Sequence, residues 1–308
     1  MHCQKMVSII ISICLFTKGV LYLDSYWEKA NHSWTTDSLR FINTPSKKTR
    51  EMLYYIQEIG CFKAFKPYFT ERENLDSFLV KYTVSGSGRL LYNDTEYILN
   101  KGDIFFIDCS KYQYYETYSS CPWEMDWIHF NGGHSSTFFS EYTKDGLCIF
   151  HSEDLNIHNI IQKLLILQPD RNSRTDFSIS LLIHELLNEL LIQKNRLDFH
   201  QSDIPDYIIK VKQYLDTNIN YKISLEMLER MFLINRYQLV KDYSKYIGIS
   251  PIDYLINNRI SLAKDLLRYS SKPITEIAAE AGISNPTYFS RIFKDRTGTT
   301  PLEYRKNS

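Results

Sequence analysis

The segment Lys272-Pro-Ile-Thr-Glu-Ile-Ala-Ala-Glu-Ala-Gly-Ile-Ser-Asn-Pro-Thr-Tyr-Phe-Ser-Arg-Ile-Phe-Lys-Asp-Arg-Thr-Gly-Thr-Thr-Pro-Leu-Glu-Tyr-Arg305 holds two short helical patterns broken at Gly282. Ile274 to Ala281 forms the first. Asn285-Pro286 then supplies an N-cap and a proline at the first helical position, where a missing N–H costs nothing. Phe289 and Phe293, at i and i+4, share one face and turn inward, leaving Thr287, Ser290, Arg291 and Lys294 outward. This is a helix-turn-helix pattern, and it occurs twice. Asn235, Leu239, Lys241, Tyr243, Gly248, Pro251 and Tyr254 recur 50 residues later as Asn285, Phe289, Arg291, Phe293, Gly298, Pro301 and Tyr304. Glu226 and Met227 recur as Glu276 and Ile277. In the first copy Glu226 to Met231 is the supporting helix, Asn235 is the cap, and Arg236, Tyr237, Val240 and Lys241 face outward.

Two such units in register imply double-stranded DNA as a partner. In a helix-turn-helix the second helix enters the major groove with its N-terminal turns toward the base edges. Arg291 has the fork needed to pair with guanine O6 and N7, and Lys241 can reach guanine or phosphate. Tyr237 and Thr287 can meet thymine methyls or the backbone. Between the units, Ile252 to Tyr269 carries apolar residues at helical spacing. A helix of about 16 residues is roughly 24 Å long. With its turns it can hold the reading helices about 34 Å apart, one turn of duplex.

Charge is divided along the chain. The 308 residues carry 36 Lys and Arg against 36 Asp and Glu, yet residues 206–308 hold 16 basic against 11 acidic ones. A mildly basic C-terminal module therefore follows an acidic one, as expected where only one of them binds a polyanion. Cys3, Cys14, Cys61, Cys109, Cys121 and Cys148 are scattered without a CxxC pair, which fits reduced thiols of the cytoplasm. The apolar run Val7 to Leu23, interrupted by Lys18 and Gly19, has three readings: an over-extended start of translation, a buried N-terminal element, or a membrane anchor that would tether the protein.

From Tyr54 to about Phe150 the chain is rich in Tyr, Phe, Val and Ile in short runs separated by turn residues. Strands are expected at Phe78 to Val84, Arg89 to Tyr92, Tyr97 to Leu99, Ile104 to Ile107 and Trp123 to Phe130. Close spacing and tight turns make a small antiparallel barrel or jelly roll the natural architecture. Alternation from Trp123 puts Met125 and Trp127 on its face of the strand, and Glu124, Asp126 and Ile128 on the other. Asp154 to Arg196 switches to helical periodicity, broken at Pro169 to Ser173. The broad apolar face of its second helix, with Leu181, Leu182, Leu186, Leu187 and Leu190, serves either packing on the barrel or pairing with a second subunit. The expected organisation is an α+β multidomain chain. An N-terminal extension spans 1–51, a barrel 52–150, a helical dimerisation segment 151–197, a linker 198–205, and an all-α DNA-binding domain of two helix-turn-helix units 206–308.

Residues 206–305 resemble the DNA-binding domain of the AraC/XylS family of transcription regulators, and the segment Lys272 to Arg305 matches the family signature nearly throughout. Departures lie in the first unit, where Leu228 stands for a usual alanine and Tyr243 for a usual phenylalanine. Phe78 to Phe130 resembles the cupin-like ligand-binding domain of that family through Gly86-Ser-Gly88, Glu96-Tyr-Ile-Leu99, Lys101-Gly-Asp103 and Trp123-Glu-Met-Asp-Trp-Ile-His-Phe130. The resemblance implies a barrel that binds a small effector, often a sugar, helices that form a homodimer, and RNA polymerase as a further partner. Position matching with sugar-sensing relatives implies that Arg72, Tyr115 and Trp127 line the effector pocket. Trp127 would then stack on an apolar sugar face, with Arg72 and Tyr115 bonding hydroxyls or a carboxylate.

Enzymatic cupins hold a metal through a His-x-His pair with a downstream Glu and a further His. This chain has no His-x-His, and Lys111-Tyr-Gln-Tyr-Tyr115 stands where a ligand histidine would fall. His129, His134 and His151 lack ligand spacing. No metal, other cofactor or catalytic residue is expected.

Overall fold

Several strands between Tyr54 and Thr117 alternate between inward and outward side chains, as in Phe69–Glu73, Ser87–Tyr92 and Gln113–Thr117, and that alternation helps to build a two-sheet barrel. The structure is a computed structural model that describes residues 25–197 and 203–307. Its strands are β1 (Trp27–Asn31), β2 (Leu39–Ile42), β3 (Tyr54–Ala64), β4 (Phe69–Glu73), β5 (Phe78–Ser85) and β6 (Ser87–Tyr92). These are followed by β7 (Thr95–Asn100), β8 (Asp103–Asp108), β9 (Gln113–Thr117), β10 (Trp123–Gly132) and β11 (Ile149–His151). One sheet runs β1-β4-β9-β6-β7 and the other β11-β8-β5-β10-β3-β2, with antiparallel pairing throughout. Both inner faces meet in a core that includes Phe62, Leu79, Leu90, Leu99, Phe105, Ile107, Trp123, Met125 and Trp127.

One boundary read from sequence is corrected. The barrel opens before residue 52, because β1 pairs with β4 and β2 with β3. Both are short edge strands whose residues are partly or fully exposed, so neither carries the alternating pattern that reveals a half-buried strand. Between β2 and β3 lies α1 (Lys47–Met52), capped by the Ser46 hydroxyl.

Helices α2 (Ser135–Tyr142), α3 (Asn156–Ile166) and α4 (Ser173–Lys194) follow, with the break between the last two where it was expected. α3 lies on the outer face of β10, where Asp126 accepts a hydrogen bond from Gln162 at 2.8 Å and pairs with His158 at 2.6 Å. Of the expected α4 stripe, Leu186, Leu187 and Leu190 are buried while Leu181 is exposed. The chain divides into two compact units between Leu190 and Leu191, upstream of the expected linker, of which residues 198–202 lie outside the described ones. The apolar run Val7 to Leu23 also lies outside them. Among the described residues no helix is long and apolar enough to cross a membrane.

The second unit contains α5 (Asp206–Thr217), α6 (Leu225–Phe232), α7 (Arg236–Ile247), α8 (Pro251–Tyr269), α9 (Ile274–Glu280), α10 (Pro286–Thr297) and α11 (Pro301–Lys306). At 19 residues α8 is longer than the 16 or so read from sequence: Ser250 caps it, and Pro251, one residue ahead of Ile252, is its first helical residue. Its length is about 28 Å at 1.5 Å per residue. α8 serves two cores. Leu255 packs with Ile208, Leu228, Leu239 and Tyr243, whereas Ile260, Ala263 and Leu267 pack with Ile277, Ala278, Phe289 and Phe293.

Tyr243 is fully buried in the first of these cores, and its hydroxyl has no hydrogen-bond partner. An unpaired buried hydroxyl costs about 1–3 kcal/mol. Tyr243→Phe is therefore expected to leave the fold intact and raise the urea midpoint of unfolding; a lowered midpoint would show that the hydroxyl has a bonding role.

Candidate functional site

Each reading helix is placed by its cap and its aromatic anchors. Asn235 Oδ1 accepts from the Tyr237 and Gln238 N–H groups, and Asn285 Oδ1 from the Tyr288 N–H. Leu239 and Tyr243 in α7, like Phe289 and Phe293 in α10, are fully buried. Seating those residues inward fixes the rotation of each helix. Tyr237, Lys241, Thr287, Arg291 and Lys294 are consequently exposed. Val240 and Ser290 occupy the same place in the two repeats and are half-buried, at the flank of the outward face. Arg236 is less free than the others. Its guanidinium pairs with Glu226 at 3.3 Å and lies 5.3 Å from the Tyr237 ring, and its N–H donates to Glu229.

The turns of the two units differ. Gly282 adopts φ +75°, and a Cβ there would come within 2.5 Å of the Ile219 carbonyl oxygen. The first unit turns instead through Leu233 at φ +54°, a conformation disfavoured for a side-chain-bearing residue. Arg259 of α8 donates to the Ile219 and Tyr221 carbonyls at 2.8 and 2.6 Å, tying the central helix to the connection between α5 and α6. On α10, Tyr288 was not among the residues picked from sequence. Its ring lies 5.5 Å from the Arg291 guanidinium and extends the exposed surface beside it.

Inside the barrel, Arg72, Tyr115 and Trp127 line one narrow pocket with about 30 Å³ of free space. They come from β4, β9 and β10 and so meet from both sheets. Arg72 donates to the Tyr115 hydroxyl and pairs with Glu28 at 3.5 Å. Trp127 sits opposite Gly60 on β3, where a Cβ would lie 2.8 Å from the indole; glycine lets the ring lie across the strand. Phe62 packs edge-on to Trp127 with centroids 5.1 Å apart. Among the described residues, the Arg72 Nε and Trp127 Nε1 atoms are buried without partners.

Sequence reading missed Lys81, Glu28 and Arg40 in this lining. Lys81 lies on the central strand β5, opposite Trp127 on one side and Phe105 on the other. Burial first, and the Arg72 charge second, hold its amine well below the ordinary lysine range. Arg40 pairs with Glu58 at 2.8 Å. Glu28 and Arg40 fall within residues 1–51, which carry no barrel pattern. A lysine among Val, Tyr and Phe in β5 was the available signal for Lys81. His129, whose Nδ1 lies 3.1 Å from Ser77 Oγ, is held well below the ordinary histidine range, foremost by burial and then by Arg72 and Lys81.

A barrel with an interior pocket, followed by a module of two helix-turn-helix units, defines a ligand-binding transcription regulator. The model of the AraC-like ligand binding domain matches residues 61–191, and that of a helix-turn-helix domain matches residues 228–307. The chain belongs to the AraC family of transcription regulators and carries the family's cupin-like ligand-binding domain ahead of its DNA-binding domain. It is 28% identical over 224 residues to the Lactose operon transcription activator of Staphylococcus xylosus, covering 71% of this chain and 80% of that one. Similarity to the Msm operon regulatory protein of Streptococcus mutans is 24% identity over 236 residues, 75% of this chain and 84% of the relative. Among solved structures, the C-terminal domain of AraT, a response regulator from Geobacillus stearothermophilus, matches 34% of this chain and 88% of its own at 27% identity and a TM-score of 0.34.

Proposed function

We propose that the protein is a cytoplasmic, homodimeric regulator whose operator affinity is set by a carbohydrate held among Arg72, Tyr115 and Trp127. In this reading α7 and α10 present Arg236, Tyr237, Val240, Lys241, Thr287, Ser290, Arg291 and Lys294 to successive major grooves, and RNA polymerase is the downstream partner. The observation that carries the sensor half is that three residues selected by position alone line a single pocket. A buried hydroxyl-binding pair, Arg72 and Tyr115, beside an indole suits a sugar, which offers both polar rims and an apolar face. The similarity to a lactose operon activator points to the same class. Effector binding acts by favouring one geometry of the dimer, or one docking of the DNA module, over the other, so that different half-sites are held together.

The test is a footprint of the full chain on DNA from its own genomic neighbourhood, with and without a panel of neutral and acidic sugars. At least one sugar should shift the operator affinity or the protected span. Identical footprints across the whole panel would remove effector control from the proposal while leaving DNA binding in place.

A further inference from the structure

Lys81 is the feature of the pocket that hydroxyl recognition does not explain. It is 2% exposed on the middle strand of its sheet, and among the described residues no hydrogen bond or ion pair reaches its amine. Its Nζ lies 3.6 Å from the centroid of the Tyr115 ring and 5.0 Å from that of Trp123. Both carboxylates of the lining are already engaged, Glu28 by Arg72 at 3.5 Å and Glu58 by Arg40 at 2.8 Å. Among the described residues the Arg72 Nε and the Trp127 Nε1 are donors without partners, and the Lys81 amine, once protonated, is a third donor. A neutral sugar brings as many donors as acceptors, and its donors would find those carboxylates occupied. A group that only accepts, and carries negative charge, satisfies all three.

We propose that the effector is an acidic carbohydrate, a sugar acid or a sugar phosphate, whose anionic group is taken up by Lys81 beside Arg72. This rests on the reading of the barrel as a sugar sensor and narrows it. The anion restores the charge that burial and Arg72 suppress on the amine, and the hydrogen bonds it then accepts are charge-assisted, shorter and stronger than those to a hydroxyl. Tyr115 would hold the ammonium over its ring while the anion pairs with the same ammonium.

The experiment is calorimetric titration of the full chain with two matched series: glucose, glucuronate and glucose 6-phosphate, then galactose, galacturonate and galactose 6-phosphate. In at least one series the acid or the phosphate should bind about tenfold or more tightly than the neutral parent, the gain expected of one charge-assisted contact, and the two arms tell carboxylate from phosphate. Lys81→Met should reduce that ligand to the level of its neutral parent. Its melting temperature should stay at or above that of the wild type, since an unpaired buried amine is removed. A neutral hexose that binds as tightly as its acid and phosphate overturns this inference alone and leaves the sugar sensor standing. A preference that survives in Lys81→Met overturns it as well, by placing the anion elsewhere. Silence from all six ligands counts against the sugar reading itself and takes this inference with it.

Discussion

Phe293→Ala is expected to lower the stability of the DNA-binding unit by about 3–5 kcal/mol, most of what a domain of this size has to spend. The expectation follows from where the ring sits. Phe293 is fully buried, packs against Phe289 and Tyr304 with centroids 5.7 and 5.5 Å away, and joins a cluster with Ile260, Ala263 and Leu267 of α8. Removing it opens a cavity bordered by three helices whose ends are fixed. α10 is capped at Asn285 and closed by Gly298 at φ +81°, and α11 carries a full capping box of Thr300 and Glu303. Such a site has little room to collapse, so the cost belongs near the upper end of the range. Urea unfolding of the full chain, followed by fluorescence and by DNA binding, should show a transition shifted to lower denaturant with loss of binding on the same curve. A change of less than about 1 kcal/mol would mean that the second unit is held by something other than this core.

That prediction draws on the part of the fold most legible in the sequence. The 50-residue repeat specified both reading helices, their caps and their inward pairs, because each rests on local rules: an asparagine cap, a proline at the first helical position, apolar residues at i and i+4. The positions of β5 to β8 and of β10 were legible for a similar reason, since short apolar runs and turn residues are written along one stretch of chain; β9 was not among the expected strands. β1 and β2 were not. Edge strands draw their stability from a neighbour distant in sequence, here β4 and β3, and their own residues show mainly solvent exposure. The pocket was legible only in part. Arg72, Tyr115 and Trp127 could be selected because positions in the resembling family could be matched to them, whereas Glu28 and Arg40 reach it from elements outside that resemblance. Lys81 was hidden differently: a buried lysine in a central strand contradicts the usual hydrophobic pattern, and only the assembled sheets bring it into the lining of the pocket.

Replacing Lys241 and Arg291 together with alanine should cost the operator complex about 2–6 kcal/mol, between roughly thirtyfold and ten-thousandfold in affinity, if each makes a base-edge contact worth about 1–3 kcal/mol. Both residues are exposed and, among the described residues, neither is drawn into an ion pair, unlike Arg296, which binds Asp253 at 2.6 Å, or Arg236, which binds Glu226. Their side chains are thus available to DNA without first breaking an internal contact. They stand on different helices anchored in separate cores, so the two losses should add to within about 0.5 kcal/mol, and each single variant should account for its own share. Salt dependence separates the roles. Arg291→Ala should weaken operator binding far more than binding to random duplex, since a forked contact to guanine exists only at the right base. Lys241→Ala should do the same if its amine reaches guanine; if the amine meets phosphate instead, it should weaken both alike and reduce the slope of log K against log salt by about 1. Should the double variant keep operator affinity within a factor of about two of the wild type, α7 and α10 are not the helices that enter the grooves, since no arrangement of two major-groove readers survives the loss of the outward basic residue from both.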